Sequence, residues 1–270
     1  MGSRRRGMNL ALRPRIVAAI LVFLAHLPAP LNAGMTPEEV KAFEGCKAKA
    51  EQGDAASQLE LGRRYKFAQG VARDVVEAVR WYRKAAEHGY AIAQFELGAM
   101  YDFGACGLTE NDAEAVKWYR KAAEQGYADA QRWLGTMYAG GEGVRKDLVE
   151  AMKWYRKAAE QGDSHAQCIL GLMYDNGDGV PKHYAEAVKW YRKAAGHGHP
   201  AALVKLGDMY ANGRGVAKDL VEAYAWFNIC ASKGFEDAAK KRDVAEREMS
   251  SSQIDQAQER TKALLKELSL

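Results

Sequence analysis

A seven-residue string, Trp-Tyr-Arg-Lys-Ala-Ala-Glu, occurs three times in the chain, and two degenerate copies extend the series to five. Successive copies are 37, 36, 36 and 36 residues apart. A fixed period in this range predicts one supersecondary unit that stacks on copies of itself, so that no single core has to grow with the chain. The tryptophans that open the five copies are Trp81, Trp118, Trp154, Trp190 and Trp226.

Each period has the pattern of a helix pair. In the third period, Leu134 and Tyr138 lie at helical spacing, and Gly135 follows at a point where a second helix must approach closely. A glycine-rich turn at residues 140–143 separates this helix from the next, for which Asp147 is a favourable N-cap. The sequence therefore predicts two antiparallel helices in this period.

The same features recur along the chain. Each predicted first helix contains a Leu-Gly pair, a Gly-x-Gly-Val turn follows it in periods three to five, and a glycine ends each predicted second helix. The Leu-Gly pairs begin at Leu61, Leu97, Leu134, Leu170 and Leu206, and the terminal glycines are Gly53, Gly89, Gly126, Gly162, Gly198 and Gly234.

These residues resemble the Sel1-like repeat family, a relative of the tetratricopeptide repeat, over about residues 40–248. The matching motifs are Ala-x-x-x-Leu-Gly-x-Met-Tyr, Gly-x-Gly-Val and Glu-Ala-x-x-Trp-Tyr-x-x-Ala-Ala. The resemblance implies an all-α fold, an α/α solenoid in which antiparallel helix pairs form a right-handed superhelix. Members of the family serve as non-enzymatic adaptors and scaffolds, often in bacterial envelopes, and no cofactor is implied.

The predicted domain organisation follows from the repeat. A capping box at Thr36-Pro37-Glu38-Glu39 opens a lone N-terminal helix, a half-repeat within residues 34–53. Two further helices, over about residues 237–249 and from Ser251 or Ser252 to about Leu268, are expected to cap the other end within residues 235–270. The five repeats between them are predicted at 54–89, 90–126, 127–162, 163–198 and 199–234.

The first 33 residues are typical of a secretory signal. They hold five arginines, no acidic residue and an apolar run from Ile16 to Leu27 that is short for a membrane span. Cleavage is predicted after Ala33, and an uncleaved membrane anchor is the alternative. The remaining residues carry 34 basic and 35 acidic side chains, which argues against a nucleic-acid partner. We expect an exported protein, periplasmic or secreted, that is not stably inserted in a membrane.

The candidate partner-binding residues lie on the first helices, which line the concave face of solenoids built from helix pairs. The tetratricopeptide pattern indicates which positions point inward, and these vary between periods while the packing positions do not. Exposed aromatic residues with basic neighbours are typical anchors for a protein segment, here one from an envelope protein; the alternative is that some of them pack inside the array. The predicted binding residues are Leu59, Arg63, Lys66, Phe67, Ile92, Phe95, Asp102, Phe103 and Arg132.

A row of cations on the second helices supports a rival hypothesis, the binding of an anionic polysaccharide or membrane surface. The alternative is a solvated outer face on which these cations pair with nearby glutamates. Ionic strength distinguishes the two hypotheses of function, because exposed charges are screened by salt and an apolar groove is not. The row comprises Arg80, Arg83, Lys84, Lys117, Arg120, Lys121, Lys153, Arg156, Lys157, Lys189, Arg192 and Lys193.

Other candidate chemistry is weakly supported. The Trp-Tyr pairs are expected in the core rather than in aromatic cages, since burial of apolar area contributes about 25 cal/mol per Å². Cys46, Cys106, Cys168 and Cys230 leave free thiols and disulfides both open. His197-Gly198-His199 straddles a predicted helix end, where turn residues are expected rather than metal ligands.

Hydrolase motifs matter for this chain because some cysteine-rich relatives are described as β-lactam-hydrolysing. The Ser-x-x-Lys of serine-type enzymes and the His-x-x-Glu-His of zinc hydrolases are both absent from the sequence. We therefore predict no enzymatic activity and no metal or cofactor site.

Overall fold

The computed structural model describes residues 36–268, whose regular elements are all α-helices. The predicted export signal at residues 1–33 lies outside the described residues. Between residues 36 and 268, none of the helices combines the length and the apolar run that crossing a bilayer requires. The helices in this range are α1 Pro37–Glu51, α2 Ala55–Phe67, α3 Val75–Glu87, α4 Ala91–Asp102, α5 Asp112–Glu124, α6 Ala128–Gly140, α7 Leu148–Glu160, α8 Ser164–Asn176, α9 Tyr184–Gly196, α10 Pro200–Asn212, α11 Leu220–Ser232, α12 Glu236–Arg247 and α13 Ser251–Leu268.

The helices form two compact units, one up to Trp118 and one from Tyr119 onward. In the first unit, α1 packs on α2, α2 on α3 and α3 on α4. In the second unit each helix from α6 to α11 packs on the one that follows it, and α13 returns to pack on α11. Packing between consecutive helices is the arrangement of an α/α solenoid, which confirms the predicted fold class.

The predicted helix starts are confirmed at two caps. Thr36 Oγ1 accepts a hydrogen bond from the N–H of Glu39 at 3.2 Å, and the Glu39 carboxylate accepts one from the N–H of Thr36 at 2.8 Å. Asp147 caps α7 by accepting from the N–H groups of Val149 and Glu150, each at 2.9 Å. These side chains satisfy amide groups that the first turn of a helix leaves without partners.

The glycine of the Leu-Gly pair sets the distance between the two helices of a repeat. A Cβ at Gly135 would lie 2.9 Å from the ring of Tyr155, and a Cβ at Gly171 would lie 2.5 Å from the ring of Tyr191. Tyr191 is completely buried, so its ring has no open space into which it can move. The close approach predicted at Gly135 is therefore confirmed, and its partner is the tyrosine of the Trp-Tyr pair.

Buried glutamines link consecutive repeats through a contact that the sequence did not lead us to expect. Gln131 donates from Nε2 to the backbone oxygen of Ala123 at 3.1 Å, and its Oε1 accepts from Gln161 at 2.7 Å. The acceptor lies in the last turn of α5, where carbonyl groups lack helical partners. The equivalent bonds, also eight residues back along the chain, run from Gln58 to Ala50, from Gln94 to Ala86 and from Gln167 to Ala159.

The second glycine of the Gly-x-Gly-Val turn packs against the preceding repeat. Gly179 has a φ of +72°, and a Cβ there would lie 2.7 Å from the carbonyl oxygen of Leu148 at the start of α7. A side chain at this position would therefore be strained by the backbone conformation and would also collide with the neighbouring backbone. The turn motif thus serves the contact between repeats and not only the reversal of the chain.

The last two helices cover the end of the second unit. Ala257 and Leu264 of α13 are buried, and Leu264 belongs to the apolar cluster that includes Trp226 of α11. Arg260 of α13 also forms an ion pair with Glu222 of α11. The apolar side of α13 thus shields the core of the final helix pair from water.

The Gly171→Ala substitution tests the proposed role of the Leu-Gly glycine. We expect the free energy of unfolding to fall by about 1–3 kcal/mol, because the added methyl group overpacks against the buried Tyr191 ring. Gly196→Ala is the matched control, since Gly196 is also helical and a Cβ there meets nothing within 4 Å. Chemical denaturation of both variants provides the measurement, and equal stabilities would contradict the proposed role.

Candidate functional site

Six of the nine predicted binding residues are exposed or partly exposed on the first helices of repeats one and two, Phe103 as the C-cap of α4, although Ile92 also packs against the apolar cluster of Leu59. The two helices are neighbours, since Arg63 of α2 forms a 3.9 Å ion pair with Glu96 of α4. Phe67 is 41% exposed, and Lys66 Nζ lies 5.2 Å from the centre of its ring. The other members are half-buried. We call this surface the first-helix face; it consists of Arg63, Lys66, Phe67, Ile92, Phe95 and Phe103.

Leu59 and Asp102 do not lie on this surface, which corrects our expectation for them. Leu59 is only 3% exposed and packs in the apolar cluster with Tyr82 and Leu97. Asp102 is 1% exposed and has an interaction partner within the protein. Neither residue is available to a partner in this conformation.

Arg132 belongs to the second unit and is already paired there. Its guanidinium group donates to Asp163 at 2.8 Å and to Asp129 at 2.7 Å. Burial opposes the charge of Arg132, but the two carboxylates more than compensate and raise its pKa. Because its hydrogen-bonding groups are engaged within the protein, Arg132 is a weaker candidate for partner binding than the cations of the first-helix face.

The cations of the second helices make three kinds of internal contact. The first cation of each motif pairs with a glutamate one turn earlier, as in Lys153 and Glu150 at 2.8 Å. The arginine after Trp-Tyr donates to a tyrosine hydroxyl of the following repeat, as Arg156 does to Tyr174 at 2.7 Å. The next lysine lies over the preceding tryptophan ring, with Lys157 Nζ 4.0 Å from the centre of the Trp154 ring.

These contacts recur from repeat to repeat, although the lysines and arginines that pair with glutamate remain 56–66% exposed. Each exposed contact contributes only about 0.2–1 kcal/mol, but together they account for the motif without a ligand. The glutamate partners of Arg80, Lys117, Lys153 and Lys189 are Glu77, Glu114, Glu150 and Glu186, in that order. The tyrosine partners of Arg83, Arg120, Arg156 and Arg192 are Tyr101, Tyr138, Tyr174 and Tyr210. The tryptophan partners of Lys84, Lys157 and Lys193 are Trp81, Trp154 and Trp190. Lys121 also has an interaction partner.

The Trp-Tyr pairs lie in the core, as predicted. All five tryptophans of the motif are 5–8% exposed, and the tyrosine or phenylalanine that follows each is 0–4% exposed. Burial raises the pKa of Tyr155 to about 12, so its hydroxyl group stays protonated and donates to Thr136 at 3.0 Å. These rings are buried in the packing between helices and therefore form no open aromatic cage.

The four cysteines are free thiols in this structure. Cys168 and Cys230 are buried, and burial raises the pKa of the Cys168 thiol to about 11. Burial also raises the pKa of Cys46 and Cys230. Thiols with raised pKa values carry little thiolate near neutral pH and are therefore poor nucleophiles. The structure thus contains two buried thiols, Cys168 and Cys230, and two partly exposed thiols, Cys46 and Cys106.

The histidine pair lies at the turn between α9 and α10, as expected. His199 makes an edge-to-face contact with His165 of α8, with 4.9 Å between ring centres, and its Nδ1 is buried without a hydrogen-bond partner in the described residues. Among residues 36–268, no group of three or more histidine, cysteine or acidic side chains is arranged to hold a metal ion. The contact with His165 was not foreseen, because sequence spacing points only to His197.

The partly buried ring of His199 predicts a pH-dependent loss of stability. Burial lowers its pKa, as does His165, while Asp163 acts in the opposite direction. The unfolded chain therefore takes up a proton that the folded chain rejects, and the free energy of unfolding falls as the pH drops through the ordinary histidine pKa of about 6.5. We expect His199→Gln to lose less stability than the wild type between about pH 7.5 and 5.5.

Urea denaturation at the two pH values is the measurement, and His197→Gln serves as the control because His197 is exposed at the same turn. We expect the control to retain the pH dependence of the wild type. An unchanged pH dependence in His199→Gln would show that this ring does not control the effect.

The comparisons with known proteins agree with this geometry. The Sel1 repeat family matches five consecutive segments, residues 55–90, 91–127, 128–163, 164–199 and 200–235. A Sel1 repeat protein of Oxalobacter formigenes is 40% identical with a TM-score of 0.68, and the match covers 75% of this chain and 86% of that one. No curated protein matches the chain.

A protective antigen of uropathogenic Escherichia coli strains, which displays an SLR fold, is also similar. It is 33% identical with a TM-score of 0.75, and the match covers 93% of this chain but 52% of the antigen, so the chain spans about half of that protein. The five repeat matches and these two structures lead to one conclusion: the chain belongs to the Sel1 repeat family, whose solenoids are in general non-catalytic protein-interaction scaffolds.

Proposed function

We propose that the protein is an exported adaptor of a bacterial cell envelope that binds a segment of a partner protein on its first-helix face. The observation that carries this proposal is the exposed ring of Phe67 beside two cations, Arg63 and Lys66, with half-buried aromatic side chains on the neighbouring first helix. Export is proposed from the basic and apolar composition of the first 33 residues. The binding surface corresponds to the side of the helix pairs that is expected to be concave.

The contrast between the two helices of a repeat supports this location. The second helices repeat the same residues, and those residues are engaged in packing, ion pairs and hydrogen bonds within the protein. At equivalent positions of the first helices, Leu59 and Arg63 of repeat one are replaced by Phe95 and Ala99 in repeat two. Since stability of the array does not require this variation, we attribute it to recognition of one partner.

The side chains of the face suit a protein segment. A phenylalanine that becomes fully buried at an interface removes a large apolar area from water and presents a rigid ring to a complementary pocket. Phe67 at 41% exposure has the most area still to bury. Basic residues at the rim add orientation and association rate more than affinity. A short segment carrying one or two apolar anchors would satisfy this surface.

The proposal predicts that charge on the face abolishes capture of the partner. Phe67→Glu, and separately the double variant Phe95→Glu with Phe103→Glu, should each lower capture at least about 30-fold, the effect of losing one strong interface contact. The measurement is a crosslinking pull-down from the native envelope fraction, quantified by mass spectrometry. Phe67→Glu is the more informative variant because its exposed ring contributes less to folding.

Val76→Glu is the matched control, because Val76 is an apolar residue of the same unit that is 73% exposed on α3. Circular dichroism establishes that all variants are folded. A partner captured equally by the wild type and both face variants would place the binding site elsewhere. If that capture then weakened steeply with salt, the cations of the second helices and an anionic polysaccharide or membrane surface would become the better explanation.

A further inference from the structure

The charges of the first-helix face are unevenly distributed between the two repeats. Arg63 and Lys66 come from α2 of repeat one, whereas the residues from repeat two are Ile92, Phe95 and Phe103. A partner therefore meets both cations over repeat one, where Phe67 is also exposed, and only apolar side chains of the face over repeat two. This asymmetry gives the surface a direction along the array.

The two cations are only partly neutralised within the protein. The carboxylate of Glu96 lies 3.9 Å from Arg63, at the limit of an ion pair, and both side chains are partly exposed. Lys66 lies over the ring of Phe67, and no carboxylate of the described residues pairs with it. By contrast, Arg64 on the same helix forms a closer pair with Glu60 at 3.1 Å. The face thus keeps positive charge available to a partner.

Burial removes Asp102 from the exposed part of this surface. In the sequence, Asp102 is the one acidic residue among the predicted binding residues, and it would have offset Lys66 at the equivalent position of the preceding repeat. The structure buries Asp102 to 1% exposure, where it already has a partner. The carboxylate of Asp102 is therefore not exposed to a partner on this face.

We propose that the partner segment is acidic, with carboxylates over Arg63 and Lys66 and an apolar or aromatic side chain over Ile92, Phe95 and Phe103. This inference rests on the proposed function and adds the chemistry and direction of the partner. Carboxylates complement the uncompensated cations, and the neighbouring rings lower the local dielectric constant and strengthen the ion pairs. The apolar anchor supplies the contact that salt does not screen.

A displayed library of random linear peptides, selected on the full chain, tests the chemistry of the surface and does not require the natural partner to be identified. We expect selected peptides to be enriched in Asp and Glu, depleted in Lys and Arg, and to contain an aromatic or leucine anchor on one side of the acidic residues. Binding of individual selected peptides should weaken about tenfold in a variant that combines Arg63→Gln and Lys66→Gln, as expected for the loss of two exposed ion pairs.

The combined Arg80→Gln and Lys84→Gln variant is the matched control, because it removes two cations of the same unit from the second helix α3. We expect this control to bind the selected peptides like the wild type. Thermal melts of both double variants establish that they are folded. Peptide selection that returns neutral or basic sequences, or binding that both variants weaken equally, would overturn the proposal, and so would the absence of any peptide that depends on the face.

The outcomes separate this inference from the proposed function. Peptides that bind through the face, so that Phe67→Glu abolishes binding, but that carry no acidic enrichment would refute the acidic partner and leave the adaptor function intact. Peptides that bind equally well to Phe67→Glu would instead refute the location of the binding site. Acidic peptides that lose affinity in both the Phe67→Glu and the Arg63→Gln, Lys66→Gln variants would support both proposals.

Discussion

The contact between a first-helix glycine and a second-helix tyrosine is the constraint on which the helix pairs depend. The tyrosine ring lies where the Cβ of any other residue would be, 2.5 Å from the position of a Cβ at Gly171. Close approach lets the helices bury rings of large area without cavities between them. The same contact fixes the tyrosine, and with it the tryptophan one residue earlier, so Leu-Gly in one helix is matched by Trp-Tyr, or by Trp-Phe in repeat five, in the other.

Contacts between repeats rest on polar groups placed at helix ends. The glutamine of one first helix donates to a carbonyl group in the last turn of the preceding second helix, and the same carbonyl also accepts the N–H of the glycine that follows that helix. The fifth repeat has Leu203 in place of this glutamine, and His199 and His165 pack together at the same junction. The last junction is therefore more apolar than the others, and it contains a ring whose protonation opposes folding.

Because the residues of the second helices are engaged in contacts within the protein, we assign recognition of a partner to the first-helix face. The outer surface of the second helices is rich in cations, but a glutamate, a tyrosine hydroxyl group or a tryptophan ring accompanies them repeat after repeat. Charges matched in this way support the helix and its neighbours more than they attract a ligand. The cations of the first-helix face lack such a regular set of partners, which is why we assign recognition to Arg63 and Lys66.

The sequence alone determined the period, the helix pairs, the caps and the core rings, because these depend on local spacing and on contacts that every repeat makes. It did not determine which first-helix residues reach the surface. Leu59 and Phe95 occupy the same position of their repeats, yet Leu59 is buried and Phe95 is partly exposed. Lys66 and Asp102 are likewise equivalent, yet only the lysine reaches the surface. Side-chain length does not explain the difference, since the shorter Val204 at the position of Leu59 is partly exposed. The neighbours that cover each position decide its exposure, and they come from other helices that only the tertiary structure brings together.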